Sequence, residues 1–327
     1  MFVPATFLAA LIMTILSTIC WGSFANTYKL TKSYRFEIYY WDYAAGIFLI
    51  SLVLAFTMGS TPNGALSFLA NLHQAAPSNL ADALIGGFLF NIANVLLLAG
   101  IEIAGLSIAF PISIGIALVE GVILSYAIQP KGSTLLLALG VTMAVLAVIL
   151  IGKAYGELQG QNRTVPRKGV VICIISGLLM GTFAPFVTRA MTASRPLTPY
   201  SVAVFFTLGA LICCFFFNVF LMRKPLVGEP LGASAYFHAR GSYHFLGVLG
   251  GMIWGVGTVF NFVAASLVGV PISYAIGQAS PMVAALWGVF VWHEFRGASA
   301  RAKMYLLAMF ASYLLALVLI ALAYRAS

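Results

Sequence analysis

Gly86-Gly87-Phe88, followed further on by Gly105-Leu106-Ser107-Ile108-Ala109-Phe110, returns later in the chain as Gly250-Gly251-Met252 and Gly269-Val270-Pro271-Ile272-Ser273-Tyr274. The offset between the two stretches stays constant without a gap, so Val95 falls on Val259 and Ile112 on Ile276. A shorter echo sets Ser17…Gly22-Ser23-Phe24-Ala25 on Ser176…Gly181-Thr182-Phe183-Ala184. Two copies of one apolar unit, in the same order, point to a membrane transporter built from duplicated halves.

The rest of the composition agrees. The 327 residues are 62% hydrophobic and 8% charged, against about 25% charged in a soluble domain. So few charges cannot cover a water-facing surface, and the chain reads as an all-α integral membrane protein. Its net charge of +9 is spread over loops rather than clustered, which argues against nucleic-acid binding and instead reports orientation. Cys20, Cys173, Cys213 and Cys214 lie in apolar runs without ligand spacing; they read as packing residues, with no disulfide or metal implied. The first apolar run lacks a basic leader and is long enough to span, so it is read as a helix rather than a cleaved signal.

Ten apolar runs reach spanning length: 5–28, 37–58, 80–102, 107–129, 133–153, 168–190, 199–222, 243–267, 271–292 and 303–324. Each meets the need for about 20 apolar residues, and the short alternating segments of a barrel do not occur. Lys29, Lys32, Arg35, Lys153, Arg163, Arg167, Lys168, Arg223, Lys224, Arg240, Arg296, Arg301 and Lys303 fall in loops after odd-numbered spans; Lys131, Arg189, Arg195 and Arg325 fall on the other side. Basic loops stay inside, so the odd-numbered loops are expected in the cytoplasm and both termini outside. The sequon Asn162-Arg163-Thr164 then faces the cytoplasm and is read as chance. The expected division is a first five-helix repeat over 1–153, a cytoplasmic linker over 154–167 and a second repeat over 168–327. Five spans per half insert the halves in opposite senses, which lets one central site open alternately to each side. The long connection 59–79 is expected to hold a short interfacial helix near Ala65–Leu72, and 223–242 a surface loop.

The second half carries a series of motifs: Gly255-Val256-Gly257, Gly269, Tyr274-Ala275-Ile276, Gln278-Ala279-Ser280-Pro281, Trp287-Gly288-Val289 and Glu294-Phe295-Arg296-Gly297-Ala298-Ser299, with Trp21-Gly22-Ser23 near the start. Over nearly its whole length the chain resembles the drug/metabolite transporter superfamily, with its EamA-like fold of ten helices. Within that superfamily it is similar to the plant ureide permeases and the bacterial glucose/ribose porters, although the long central loop of the plant proteins is missing. The resemblance implies secondary transport of a small, neutral, polar metabolite, usually with protons, and leaves nucleobase, ureide and monosaccharide open.

Among single residues, Glu120 stands deep in span 4 among Ile116, Ala117, Val119, Val122 and Ile123. A carboxyl there costs about 2.5–3.5 kcal/mol on insertion scales, so it normally faces a cavity or holds a proton. It is the expected proton-coupling residue; the alternative is a protonated acid bonding a neighbouring helix. Asn91 and Asn94 share a face of span 3, and Trp254, Thr258 and Asn261 share one on span 8. Amides and an indole suit a polar ring, offering hydrogen bonds to its edge and a π-surface to its face; polar contact between helices is the other reading. Tyr274 and Gln278 lie on span 9, with Trp287 beyond them, and Trp21 and Asn26 of span 1 face Thr182 and Phe183 of the echoing span 6 as further candidate walls.

Glu102, Pro111, Pro185 and Pro281 are candidate gating positions. Asp42 and Asp82 lie toward span ends, Glu294 is expected to pair with Arg296 and Arg301, and His73, His238, His244 and His293 are read as solvated or interfacial. No nucleophile–base pair, phosphate loop or metal cluster is legible. The chain is thus read as a non-enzymatic, cofactor-free transporter of the cytoplasmic membrane, a monomer or homodimer whose partners are the bilayer, a small molecule and H⁺. The competing reading is an exporter of amphipathic or cationic compounds.

Overall fold

The structure, a computed structural model, describes all residues except 32–33, 62–65, 160–165, 227 and 326–327. Ten helices are long and apolar enough to cross a membrane: Phe7–Leu30, Phe36–Ser60, Pro77–Ala104, Pro111–Ile128, Thr134–Leu158, Arg167–Thr192, Pro199–Arg223, Gly241–Val268, Val270–Val291 and Ala300–Tyr324. They are called spans 1 to 10 in that order, and no strand occurs among the described residues. Leu135, Phe216, Phe290 and Leu307 are each about two-thirds exposed or more. Such large apolar groups pointing outward are costly in water and suited to lipid. The protein is an all-α, multi-pass membrane protein.

The packing follows the sequence duplication. Span 3 lies along span 6, and span 8 along span 1; span 3 also meets span 7, and span 8 meets span 2. Span 4 packs on span 6 and span 9 on span 1, while span 5 pairs with span 10. Each pairing maps onto another, or onto itself, when spans 1–5 are exchanged for 6–10. The glycines of the repeated stretch sit at the closest crossings. A Cβ on Gly87 would lie 1.7 Å from the Phe206 carbonyl oxygen, and one on Gly251 would lie 2.1 Å from that of Tyr43. Only a bare Cα lets the backbones approach so closely. Gly105 (φ 83°) and Gly269 (φ 87°) end spans 3 and 8 in the same left-handed backbone, their N–H groups donating to the Ile101 and Ala265 carbonyls. That conformation favours glycine, which pays no Cβ penalty there.

Span 4 opens with a π-helical turn over Phe110–Ile114, which contains Pro111. Span 9 is discontinuous: Val270–Gly277 stops at Gln278, and a second segment starts at Ser280 with Pro281 in its first turn. Broken helices in a membrane are tolerated where the freed backbone faces a cavity or protein. Span 6 remains helical through Pro185.

Several connections differ from the sequence reading. The helix of span 5 runs on to Gln159, through Gly156, so part of the expected linker is helical; the sequon lies outside the described residues. The short helix between spans 2 and 3 is Phe68–Gln74, capped by Ser67, later than expected. Asp42 is not at the water, and His244 is only partly exposed. Asp42 is buried, paired with His244 Nδ1 at 2.8 Å and accepting from Tyr236 Oη at 2.6 Å and Tyr34 Oη at 3.2 Å. Burial and that carboxylate push the Tyr34 and Tyr236 hydroxyls well above their ordinary range, keeping both as donors. These partners are distant in sequence, so spacing could not reveal them. Glu294 pairs with Lys29 and accepts from Tyr155 Oη at 3.1 Å, rather than with Arg296 and Arg301; Arg301 instead faces Glu157 at 3.8 Å.

Candidate functional site

A cavity of about 180 Å³ lies among spans 1, 3, 4, 6, 8 and 9. Its polar groups come from Asn94, Gln278 and Ser280, and its aromatic wall from Trp21, Phe24, Phe90, Phe183 and Trp254. Trp254 is sandwiched: its ring stacks on Trp21 at 5.8 Å and on Phe90 at 4.6 Å. Phe183 meets Phe90 edge-on at 5.7 Å. Such pairs each add about 0.5–1.5 kcal/mol beyond area burial and hold the rings rigid. No ionisable side chain is among the lining residues.

The polar groups are fixed from behind. Trp21 Nε1 donates to Thr258 Oγ1 at 3.1 Å, setting the indole plane. Asn94 Nδ2 donates to Tyr40 Oη at 2.9 Å, so a buried tyrosine of span 2 anchors one end of the carboxamide. Gln278 sits in the break of span 9, and its side chain makes no hydrogen bond with another described residue; it has both a donor and an acceptor to offer.

The sequence candidates thus divide into groups. Trp21, Asn94, Trp254, Gln278 and Pro281 line the cavity together. Thr258 stands directly behind Trp21, and Asn261 is buried one layer back, donating from Nδ2 to the Ser273 carbonyl at 2.9 Å. Tyr274 is fully buried between spans 4 and 6, its hydroxyl 3.1 Å from the Ala117 carbonyl and 3.5 Å from that of Met180. Asn91 is buried beside Cys213 of span 7, away from the cavity. Asn26 and Trp287 lie at the end of span 1: Trp287 Nε1 donates to Ser23 Oγ at 2.8 Å, and Trp292 Nε1 to Asn26 Oδ1 at 2.6 Å. With Lys29 and Glu294 they tie span 1 to span 9 on the odd-loop side. Glu102 is exposed at the end of span 3.

Glu120 is not among the lining residues; its repeat counterpart Ala284 is. It occupies the seam between spans 4 and 6, packed against Gly181, where a Cβ would lie 2.8 Å from its Oε2. Thr182 Oγ1 stands 3.0 Å from Glu120 Oε1 and 2.6 Å from the Leu178 carbonyl. Oε2 is buried without a hydrogen-bond partner. The neighbouring Val119 and Ile123 are exposed on the outer apolar surface.

Sequence reasoning missed Phe90 and Tyr40. Phe90 was within reach, because the repeat register places it on Trp254, the very ring it stacks upon. Phe24 and Phe183, Trp21 and Met180, and Ile114 and Gln278 are likewise repeat counterparts that face the same cavity. A larger hollow of about 700 Å³, near Asn71–Gln74 and Arg195–Pro199, contains none of the candidate residues.

Comparison with known proteins agrees with this architecture. A solved crystal structure superposes with a TM-score of 0.65 at 15% identity, covering 97% of this chain and 98% of that one; this likeness bears on fold alone. Ureide permease 2 of Arabidopsis thaliana is 21% identical over 339 residues, covering 83% of this chain and 85% of its own. The glucose uptake protein GlcU of Bacillus subtilis (strain 168) is 23% identical over 219 residues, covering 64% and 68%. The family described as sugar transport protein matches residues 12–323. The chain therefore belongs to that family of membrane transporters of small metabolites.

Proposed function

We propose that this protein is a proton-coupled secondary transporter that carries a small, neutral, polar metabolite through the central cavity by alternating access. The observation that carries the reading is the lining itself: two carboxamides and a rigid aromatic stack, with no ionisable side chain. A cation has no counter-charge there, whereas hydroxyl, amide or ring N–H groups find hydrogen bonds and a π-surface. The volume, about six waters' share at roughly 30 Å³ each, suits a monosaccharide, nucleobase or ureide. It falls below the roughly 300–1,000 Å³ of drug-sized sites, which disfavours an exporter of bulky amphiphiles. The names of the relatives, a ureide permease and a glucose uptake protein, fall within this class.

The exchange symmetry of the helix pairings supports two halves of opposite insertion, rocking about the cavity. By the distribution of basic residues, the odd-numbered loops face the cytoplasm and both termini face outward. Glu120 carries the proton. Thr182 has one hydroxyl proton and two partners, the Leu178 carbonyl and Glu120 Oε1. Both contacts are satisfied together when Thr182 donates to the carbonyl and a protonated Glu120 donates to Thr182. Loss of that proton leaves the hydroxyl to choose, loosening the joint between span 4 of one half and span 6 of the other.

Substrate class is tested by thermal unfolding of the purified protein against glucose, ribose, uracil, allantoin and a cationic dye, since a ligand stabilises the state it binds. At least one neutral compound is expected to raise the melting temperature in a saturable way, and the dye to leave it unchanged. Stabilisation by the dye alone would overturn the reading.

A further inference from the structure

Away from the cavity, a groove of about 590 Å³ runs between span 2, span 7 and the segment that follows span 7. Its walls are apolar and aromatic: Trp41, Phe215, Met222, Tyr236 and Phe237. Phe215 and Phe237 are 59% and 79% exposed, so the groove is open along the outer surface of the helices. Arg223, at the end of span 7, stands on its rim. Among the described residues its guanidinium has no ion pair, hydrogen bond or aromatic partner, and Lys224 beside it has none either. Inside the groove the Trp41 indole N–H reaches only the Met222 sulfur, at 3.3 Å, a weak acceptor.

We infer that this groove is a binding site for an anionic phospholipid. The three parts match the three parts of such a molecule. The aromatic walls take an acyl chain, the under-used Trp41 N–H faces the ester carbonyl level, and the unpaired Arg223 takes the phosphate, for which a guanidinium fork is well shaped. A detergent-like occupant leaves the charge of Arg223 unanswered, a zwitterionic lipid answers it with a phosphate that its own ammonium group offsets, and a second copy of the chain would need an acidic patch that this basic protein, with 17 Lys and Arg against 8 Asp and Glu, can scarcely supply. The segment that follows span 7 is tied down. Leu231 N–H donates to the Met222 carbonyl at 2.7 Å, and Tyr236 Oη to Asp42 at 2.6 Å. The Tyr236 carbonyl also lies 3.1 Å from His244 Nε2. The wall that touches the lipid is thereby joined to spans 2 and 8, of which span 8 carries Trp254 into the cavity.

The test is native mass spectrometry of the delipidated full chain, titrated with phosphatidylglycerol or phosphatidylcholine bearing the same acyl chains. Wild type is expected to prefer phosphatidylglycerol by about fivefold or more, and Arg223→Gln to lose about fivefold in phosphatidylglycerol affinity and less in phosphatidylcholine affinity, so that the preference shrinks toward parity. Arg223 is exposed and unpaired, so the variant is expected to fold, which its unfolding curve checks. Trp41→Phe keeps the apolar wall and is expected to weaken both lipids alike. Equal binding of the two lipids by wild type, undiminished phosphatidylglycerol binding by Arg223→Gln, or a dimer that buries the groove and excludes lipid overturns the inference.

Discussion

Gly87→Ala and Gly251→Ala are each expected to lower the melting temperature sharply, with losses of similar size. The added methyl would stand 1.7 Å from the Phe206 carbonyl oxygen in the first and 2.1 Å from the Tyr43 carbonyl oxygen in the second. Neither neighbour is a flexible side chain; both are backbone in the middle of a packed span. To relieve the clash, span 7 must back away from span 3, or span 2 from span 8. Overpacking of this kind costs about 1–3 kcal/mol, and more where the backbone must shift. The reciprocal glycines report the same crossings: a Cβ on Gly209 would meet the Leu84 carbonyl oxygen at 2.1 Å, and one on Gly46 that of Val248 at 2.2 Å. Gly115 is the control. Nothing lies within 4 Å of a Cβ there, so Gly115→Ala is expected to be neutral or to gain the roughly 0.5–1 kcal/mol of an alanine in a helix. Thermal unfolding of the purified variants decides it. A Gly87→Ala protein that melts with wild type would refute the close crossing.

Glu120→Gln is expected to separate movement of substrate from its accumulation. Glutamine keeps the size of the side chain and offers an N–H to Thr182, so it imitates the protonated acid and leaves the seam of spans 4 and 6 joined. In reconstituted vesicles, exchange of substrate across the membrane should persist within a few-fold of wild type, because Glu120 does not line the cavity. Accumulation driven by a pH gradient should vanish, since no site remains to load and release a proton. Unchanged accumulation with unchanged pH dependence would remove Glu120 from the coupling role. Loss of exchange as well would assign it a structural one.

The ten spans were legible because bilayer thickness imposes a length on apolar runs, and the structure moves their ends by only a few residues. The repeated glycines were legible for a related reason: close helix approach leaves small residues that persist in both copies. The site was legible in part. Gln278 was marked by the neighbouring Pro281, and Trp254 by its spacing from Thr258 and Asn261. Phe90 escaped because a phenylalanine in an apolar run carries no local signal, although the repeat register placed it on Trp254. The Asp42–His244 pair and its tyrosines escaped because they join span 2, span 8 and two loops, which no periodicity connects. Tyr274 and Asn261 show the converse: polar groups at promising positions whose hydrogen bonds go to Ala117 and Ser273 in the protein's own backbone.

The central claim is that an uncharged polar cargo is held by Asn94, Gln278 and the aromatic stack. Uptake into reconstituted vesicles tests it most directly, using labelled glucose, uracil and allantoin beside a lipophilic cation, with wild type, Gln278→Ala and Asn94→Ala compared. Each lost hydrogen bond to a substrate is worth about 0.5–1.5 kcal/mol, so each substitution is expected to weaken the apparent affinity for one neutral compound by roughly three- to tenfold; Gln278→Ala should leave the melting temperature of the empty protein nearly unchanged, whereas Asn94→Ala should lower it, because the buried Tyr40 hydroxyl loses its partner. Transport of the cation alone, or neutral uptake indifferent to both substitutions, would contradict the account.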